Sequence, residues 1–149
     1  MTALKRILLA EDDPRDVELT LQGLRSSYLA NDVMVVNDGE EAMDFLLRRG
    51  RYADRIEAMP ALVLLDLKMP KMSGLDVLRE MRAMPELASI PVVMMTSSRE
   101  ESDVATAYQL GCNAFVVKPV SFKDFIETVK TLGLFWAVLN EPPLQCLPR

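Results

Sequence analysis

The sequence predicts a doubly wound α/β domain in which five parallel strands are each followed by a helix. Five short apolar runs recur: Ile7-Leu8-Leu9-Ala10, Val33-Met34-Val35-Val36, Leu62-Val63-Leu64-Leu65, Val92-Val93-Met94-Met95 and Phe115-Val116-Val117. Each is apolar on consecutive positions, the pattern of strands covered on both faces, whereas half-exposed strands alternate. The runs start 26, 29, 30 and 23 residues apart, the length of one strand plus one crossover helix.

The stretches between the runs read as helices. Pro14 follows Glu11-Asp12-Asp13 at a helix start, and Val17, Leu21, Leu24 and Tyr28 then recur on one helical face. Gly39 to Leu47 carries Ala42, Phe45 and Leu46 on a second face, and a polar insertion, Arg48 to Glu57, leads to Met59-Pro60 and the third strand. Ser73 begins the third helix, with Leu75, Leu78, Met81 and Arg82 following before Pro85. The fourth opens at Ser102 or at Ser97-Ser98, runs through Ala105, Tyr108 and Gln109, and closes at Gly111 as its C′ glycine. Ser121 is the expected N-cap of the fifth, with Asp124 three residues on and Phe122, Phe125, Ile126, Val129 and Leu132 as its apolar positions.

Composition narrows the function. The chain has 149 residues, 50% of them hydrophobic, which suffices for a core without disulfide or metal support. It has no histidine, so a Ser-His-Asp triad, a Cys-His pair, a His-ligated zinc and a phosphohistidine on this chain are all excluded. A net charge of -5 argues against sequence-independent binding to nucleic acid or to an anionic membrane. Cys112 and Cys146 lie far apart in apolar surroundings and read as reduced thiols. Without a leader-like apolar segment or a run approaching membrane-spanning length, the expected location is the cytoplasm.

Parallel β-α folds place their chemistry at the carboxyl ends of the strands. There the sequence puts Glu11-Asp12-Asp13, Asp66-Leu67-Lys68, Thr96-Ser97-Ser98 and Lys118-Pro119. Asp12 and Asp66, with backbone carbonyl and water oxygens, suit Mg²⁺, and Mn²⁺ is an alternative. Lys118 adds a fixed positive charge and Thr96 a hydroxyl. A cation, an ammonium and a hydroxyl around one carboxylate suit an incoming phosphoryl group, and Asp66, at the end of the strand that reads as most buried, is the candidate nucleophile.

The residues Glu11-Asp12, Asp66, Met69-Pro70 with Gly74, Thr96 and Lys118-Pro119, in this order and spacing, resemble the signature of the receiver domain of two-component response regulators. The resemblance spans about residues 4 to 132. It implies a flavodoxin-like (βα)5 fold with a five-stranded parallel sheet in the order 2-1-3-4-5. It also implies that Asp66 is phosphorylated by a partner histidine kinase, with Glu11, Asp12 and the Lys68 backbone carbonyl organising Mg²⁺. Thr96 and Phe115 would then form a switch pair, Lys118 would contact the phosphoryl group, and the bond before Pro119 would be cis. Asp13-Pro14, the polar insertion, the stretch from Leu65 to Gly74 and Phe135-Trp136 look more narrowly like the stand-alone regulators paired with bacterial phytochromes. Phe115 stands where many receivers have Tyr. Lys68, two residues after the phosphoacceptor, either screens the phosphoryl group or stays solvated.

The expected receiver domain is residues 4–132, and 133–149 form an apolar C-terminal arm. Leu134 to Leu139 is apolar on six consecutive positions, more than one helix face buries on its own domain. A homodimer using Phe135, Trp136 and Leu139 is therefore expected. With no output domain after Leu132, output would pass through protein contacts. Three other functions compete with the phosphoacceptor switch. A Mg²⁺-dependent aspartyl-nucleophile phosphatase would place a second Asp where Lys68 stands. A nucleotide or flavin binder would need a Gly-rich phosphate loop after the first strand, which is absent. A receiver serving only as a scaffold would not need the full set of phosphoryl-handling groups.

Overall fold

In a computed structural model of the chain, the described residues are 6–26, 33–56, 59–96, 101–117 and 123. Strands form at the apolar runs: β1 Ile7–Ala10, β2 Val33–Val36, β3 Leu62–Asp66, β4 Val92–Thr96 and β5 Ala114–Val117. Between them lie α1 Pro14–Ser26, α2 Gly39–Leu47, α3 Gly74–Ala83 and α4 Glu101–Gln109. The sheet order is β2-β1-β3-β4-β5, every pairing is parallel, and the expected flavodoxin-like arrangement is the one found. The expected fifth helix, with Ser121 as its N-cap and apolar positions to Leu132, and the expected arm fall outside the described residues, apart from Lys123, which is helical.

Period-two alternation divides each strand between two cores. Leu8, Ala10, Val63, Leu65, Val92 and Met94 face one side, where α2 contributes Ala42, Met43, Phe45 and Leu46, α3 Val77, Leu78 and Met81, and α4 Ala107. Ile7, Leu9, Leu62, Leu64, Val93 and Met95 face the other, with Val17 of α1 packed against them. Burial on both sides explains why no strand alternates in hydrophobicity along the sequence.

The helix ends follow local chemistry. Asp13 accepts from the Arg15 amide at 2.9 Å at the start of α1, and that hydrogen bond lowers its pKa. Asp38 caps α2 by accepting from the Glu41 amide at 2.7 Å. Ser73 caps α3 and does not begin it: its hydroxyl accepts from Asp76 N at 3.2 Å while the Asp76 carboxylate accepts from Ser73 N at 3.4 Å. Replacing Ser73 with alanine removes the side-chain half of this box and is expected to lower unfolding free energy by about 1 kcal/mol in a urea titration. Gly111 follows α4 at φ +95, as expected of a C′ glycine.

Residues 48–56 of the insertion pack more closely than their polarity suggests. A short 3₁₀ turn, Gly50–Tyr52, brings the Tyr52 ring edge-on to Phe45 at 5.2 Å between centroids, and the Tyr52 hydroxyl donates to Glu41 at 2.6 Å. Arg55 is buried: its guanidinium lies 4.3 Å above the Phe45 ring and its Nε donates to the Phe45 carbonyl at 2.9 Å.

At the amino end of the sheet, Arg82 of α3 ties three segments together. It donates to the carbonyls of Gly111 (2.9 Å), Ala88 (3.1 Å) and Ile90 (2.9 Å) and to the Asn113 side chain (3.3 Å). Nearby Cys112 is a free, buried thiol, and burial raises its pKa from 9.0 to about 11. A raised folded pKa adds stability that is complete below the unfolded value and is lost as pH rises through the folded one. Denaturation midpoints should therefore show the wild type losing stability relative to Cys112→Ala as pH climbs from 9.0 towards 11.

Candidate functional site

The sheet order reverses at β1, whose neighbours are β2 and β3, and this is where a doubly wound sheet opens a crevice at its carboxyl edge. Ala10 pairs in register with Leu65, so the next residue of each strand, Glu11 and Asp66, emerges at the same level. The Glu11 amide donates to the Val36 carbonyl at 3.0 Å and the Leu67 amide to the Met95 carbonyl at 3.1 Å, which fixes the main chain on both sides. Glu11, Asp12 and Asp66 each offer a carboxylate oxygen, and the three oxygens lie within 4.8 Å of one another. Glu11 and Asp66 are buried and Asp12 is exposed at the lip. Carboxylates this close repel one another, and a hard divalent cation relieves the repulsion while taking oxygen ligands from all three. With solvent on the Asp12 side, water and a substrate oxygen have room to complete six-fold coordination.

Gly74 closes the loop that follows Asp66. Its amide donates to the Leu67 carbonyl at 2.9 Å, and a Cβ there would stand 2.3 Å from the Asp66 carbonyl oxygen. Helix α3 therefore starts directly against the main chain of Asp66, an approach only glycine allows.

Of the residues singled out in the sequence, Glu11, Asp12 and Asp66 converge as expected. Lys68 is exposed in the loop after β3. Thr96 ends β4 with its backbone level with Val117, and its side chain is outside the described set. Phe115 is partly buried against the core cluster that α2, α3 and α4 cover. Lys118, Pro119, Phe135, Trp136 and Leu139 lie outside the described residues. Asp38 and Lys71 carried no signal in the sequence beyond the polar character of a loop, yet Lys71 Nζ stands 3.7 Å from Asp38 Oδ2 between α2 and the loop after β3.

A family model for the response regulator receiver domain matches residues 7–130. The chain belongs to the response regulator receiver family. This receiver is 38% identical to the response regulator Rcp1 of Synechocystis over 132 residues, 89% of this chain and 88% of that one. Among solved structures it is similar to the bacteriophytochrome response regulator RtBRR, with 59% identity and a TM-score of 0.82, covering 95% of this chain and 85% of the other. It is also similar to the Mn²⁺-bound form of Rcp1 (36% identity, TM-score 0.76, 94% and 100% covered). The phosphorylated cyanobacterial phytochrome response regulator RcpA resembles it to the same degree (37%, 0.76, 90% and 94%). Among the described residues of this receiver, no helix is long and apolar enough to cross a membrane.

Proposed function

We propose that this receiver accepts a phosphoryl group on Asp66 from the phosphohistidine of a partner kinase, with Mg²⁺ or Mn²⁺ held by Glu11, Asp12, Asp66 and the Lys68 backbone carbonyl. The observation that carries this reading is the convergence of three carboxylates within 4.8 Å at the point where strand order reverses. The Mn²⁺-bound relative supports the choice of ion and the phosphorylated relative the choice of chemistry. When bound, the ion neutralises charge on the phosphoryl oxygens.

Asp66 is the acceptor because it ends the buried strand β3 and is followed by Leu67, whose amide donates to the Met95 carbonyl and whose carbonyl accepts from Gly74, so the main chain beyond Asp66 is fixed. One of its carboxylate oxygens bonds to phosphorus as the phosphorus–nitrogen bond to the donor breaks, and the imidazole, protonated on its other nitrogen, leaves as the neutral ring. A phosphohistidine donor on another chain fits a sequence with no histidine of its own. Thr96 donates its hydroxyl to a phosphoryl oxygen and Lys118 neutralises another. The phosphorylated side chain carries about two negative charges where the carboxylate carried one. Movement of Thr96 towards that charge and inward turning of the Phe115 ring transmit the change to the face around α4 and β5. On this reading the peptide bond before Pro119 takes the cis form, which a bond to proline permits.

The likeness to RtBRR, Rcp1 and RcpA supports a phytochrome-type histidine kinase as the donor. The receiver domain is residues 4–132, and residues 133–149 form the arm that pairs two copies through Phe135, Trp136 and Leu139. The protein works in the cytoplasm as a switch, without nucleic acid or membrane contact, and its slow loss of phosphate is not enzymatic turnover: Lys68 stands where an aspartyl-nucleophile phosphatase needs its second acid.

The test is incubation with Mg²⁺ and a small labelled phosphoryl donor. Wild type is expected to take up base-labile label at up to one group per chain and Asp66→Asn none. Label on Asp66→Asn equal to wild type overturns the assignment, and sustained release of phosphate favours the phosphatase.

A further inference from the structure

A strained turn lies between α2 and the acidic site. The loop that leaves β3 at Asp66 returns at Gly74, whose amide is bonded to the Leu67 carbonyl, so its base is fixed. At its far end the Met72 amide donates to the Pro70 carbonyl at 2.7 Å around Lys71, which sits at φ +66. A three-residue turn with positive φ at its centre is the rare form of the γ-turn, and a lysine there carries backbone strain that glycine would not. Such strain persists only where surrounding structure holds it, and it gathers at functional sites.

What lies against this turn is the amino end of α2. Asp38 Oδ2 lies 3.7 Å from Lys71 Nζ. The Met72 carbonyl oxygen is seated where a side chain on Gly39 would be, 2.0 Å from the position of its Cβ. Asp38 does this while its Oδ1 caps α2, so one carboxylate serves both the helix end and the loop.

We propose that the amino end of α2 is a clamp that keeps the Pro70–Lys71–Met72 turn in its strained form and so sets where the Lys68 carbonyl stands relative to Glu11, Asp12 and Asp66. Asp38, Gly39 and Lys71 are then positioning residues for the divalent ion, although none of them is a ligand. The geometry is short-range: only Met69 separates Lys68 from the turn, and the other end of the loop is fixed by Gly74. Between that bond and the turn lie only Lys68 and Met69 on one side and Ser73 on the other, so a relaxed turn has few residues to absorb the change and Lys68 is one of them. This inference rests on the reading that the three carboxylates hold a divalent cation.

Mn²⁺ titration of the full chain tests it. Asp38→Ser keeps a residue type that caps helices well and removes the carboxylate facing Lys71. It is expected to weaken Mn²⁺ binding about three- to fivefold, the equilibrium factor of a half-exposed ion pair. Adding Lys71→Gly is expected to restore the affinity, because glycine adopts the positive-φ turn without being held. A purely structural role for Asp38 would change thermal stability and leave Mn²⁺ affinity alone. Asp38→Ser binding Mn²⁺ as wild type does, while Asp12→Asn loses it, overturns the clamp and leaves the metal site standing. Asp38→Ser weakened but not restored by Lys71→Gly also overturns the clamp. Failure of the wild type to bind Mn²⁺ overturns the metal site and the clamp with it.

Discussion

Replacing Gly74 with alanine is expected to destabilise the receiver by about 3 kcal/mol or more, at the upper end of what overpacking costs. The new Cβ would stand 2.3 Å from the Asp66 carbonyl oxygen and 3.1 Å from its carbon. The Met94 methyl, at 2.9 Å, is the end of a flexible side chain and can turn away, whereas the Asp66 oxygen belongs to a strand paired on both sides. Relief must therefore come from moving α3 or from tilting the peptide after Asp66. Either route breaks the 2.9 Å bond from the Gly74 amide to the Leu67 carbonyl. A fall in the urea midpoint accompanied by weaker Mn²⁺ binding is the expected pair of results. A variant as stable as wild type would show that the start of α3 is free to shift, contrary to the packing described.

Phe45→Ala should cost about 3–5 kcal/mol, the range for emptying a buried aromatic site. Domains of this kind have only about 5–15 kcal/mol to lose. Phe45 is 1% exposed, so its volume is not refilled from solvent. Its loss also removes the ring beneath the Arg55 guanidinium and the edge contact to Tyr52. The ring is one of several ties between α2 and the insertion, beside the Glu41 bonds to Arg51 and Tyr52, so proteolysis within the insertion should speed up together with the fall in the urea midpoint. A midpoint close to that of wild type would mean that the insertion collapses into the space, which the fixed path of Arg55 to the Phe45 carbonyl argues against.

The parts of the fold that were legible in the sequence are those set by local pattern. Consecutive apolar residues marked all five strands because both faces of the sheet are covered, and α2 begins and ends at the residues its pattern indicated, Gly39 and Leu47. Glu11, Asp12 and Asp66 were legible because strand ends in such a sheet converge whatever the intervening helices do. Contacts between residues remote in sequence left no local mark. Arg55 read as part of a polar loop because nothing nearby reveals the Phe45 face it covers. Met43 is buried beside Ala42, Phe45 and Leu46, since α2 lies deep enough to bury a broader stripe than one row of contacts. Arg82 read as the last position of a helix, although its hydrogen bonds run to Gly111 and Asn113, some thirty residues away. Lys71 carried the least signal: its positive φ and its approach to Asp38 of a distant segment leave no local pattern in the loop.

The most direct test of a phosphoryl-accepting carboxylate held in a divalent-ion site is to find which side chain carries the group. Borohydride reduces an aspartyl phosphate to homoserine, and mass spectrometry of the peptides then locates the residue. After incubation of the full chain with a phosphoryl donor, homoserine is expected at position 66 alone, and only when Mg²⁺ or Mn²⁺ is present. Homoserine at position 12 or 13 in place of 66, or the same yield at position 66 with every divalent ion chelated, would contradict the account.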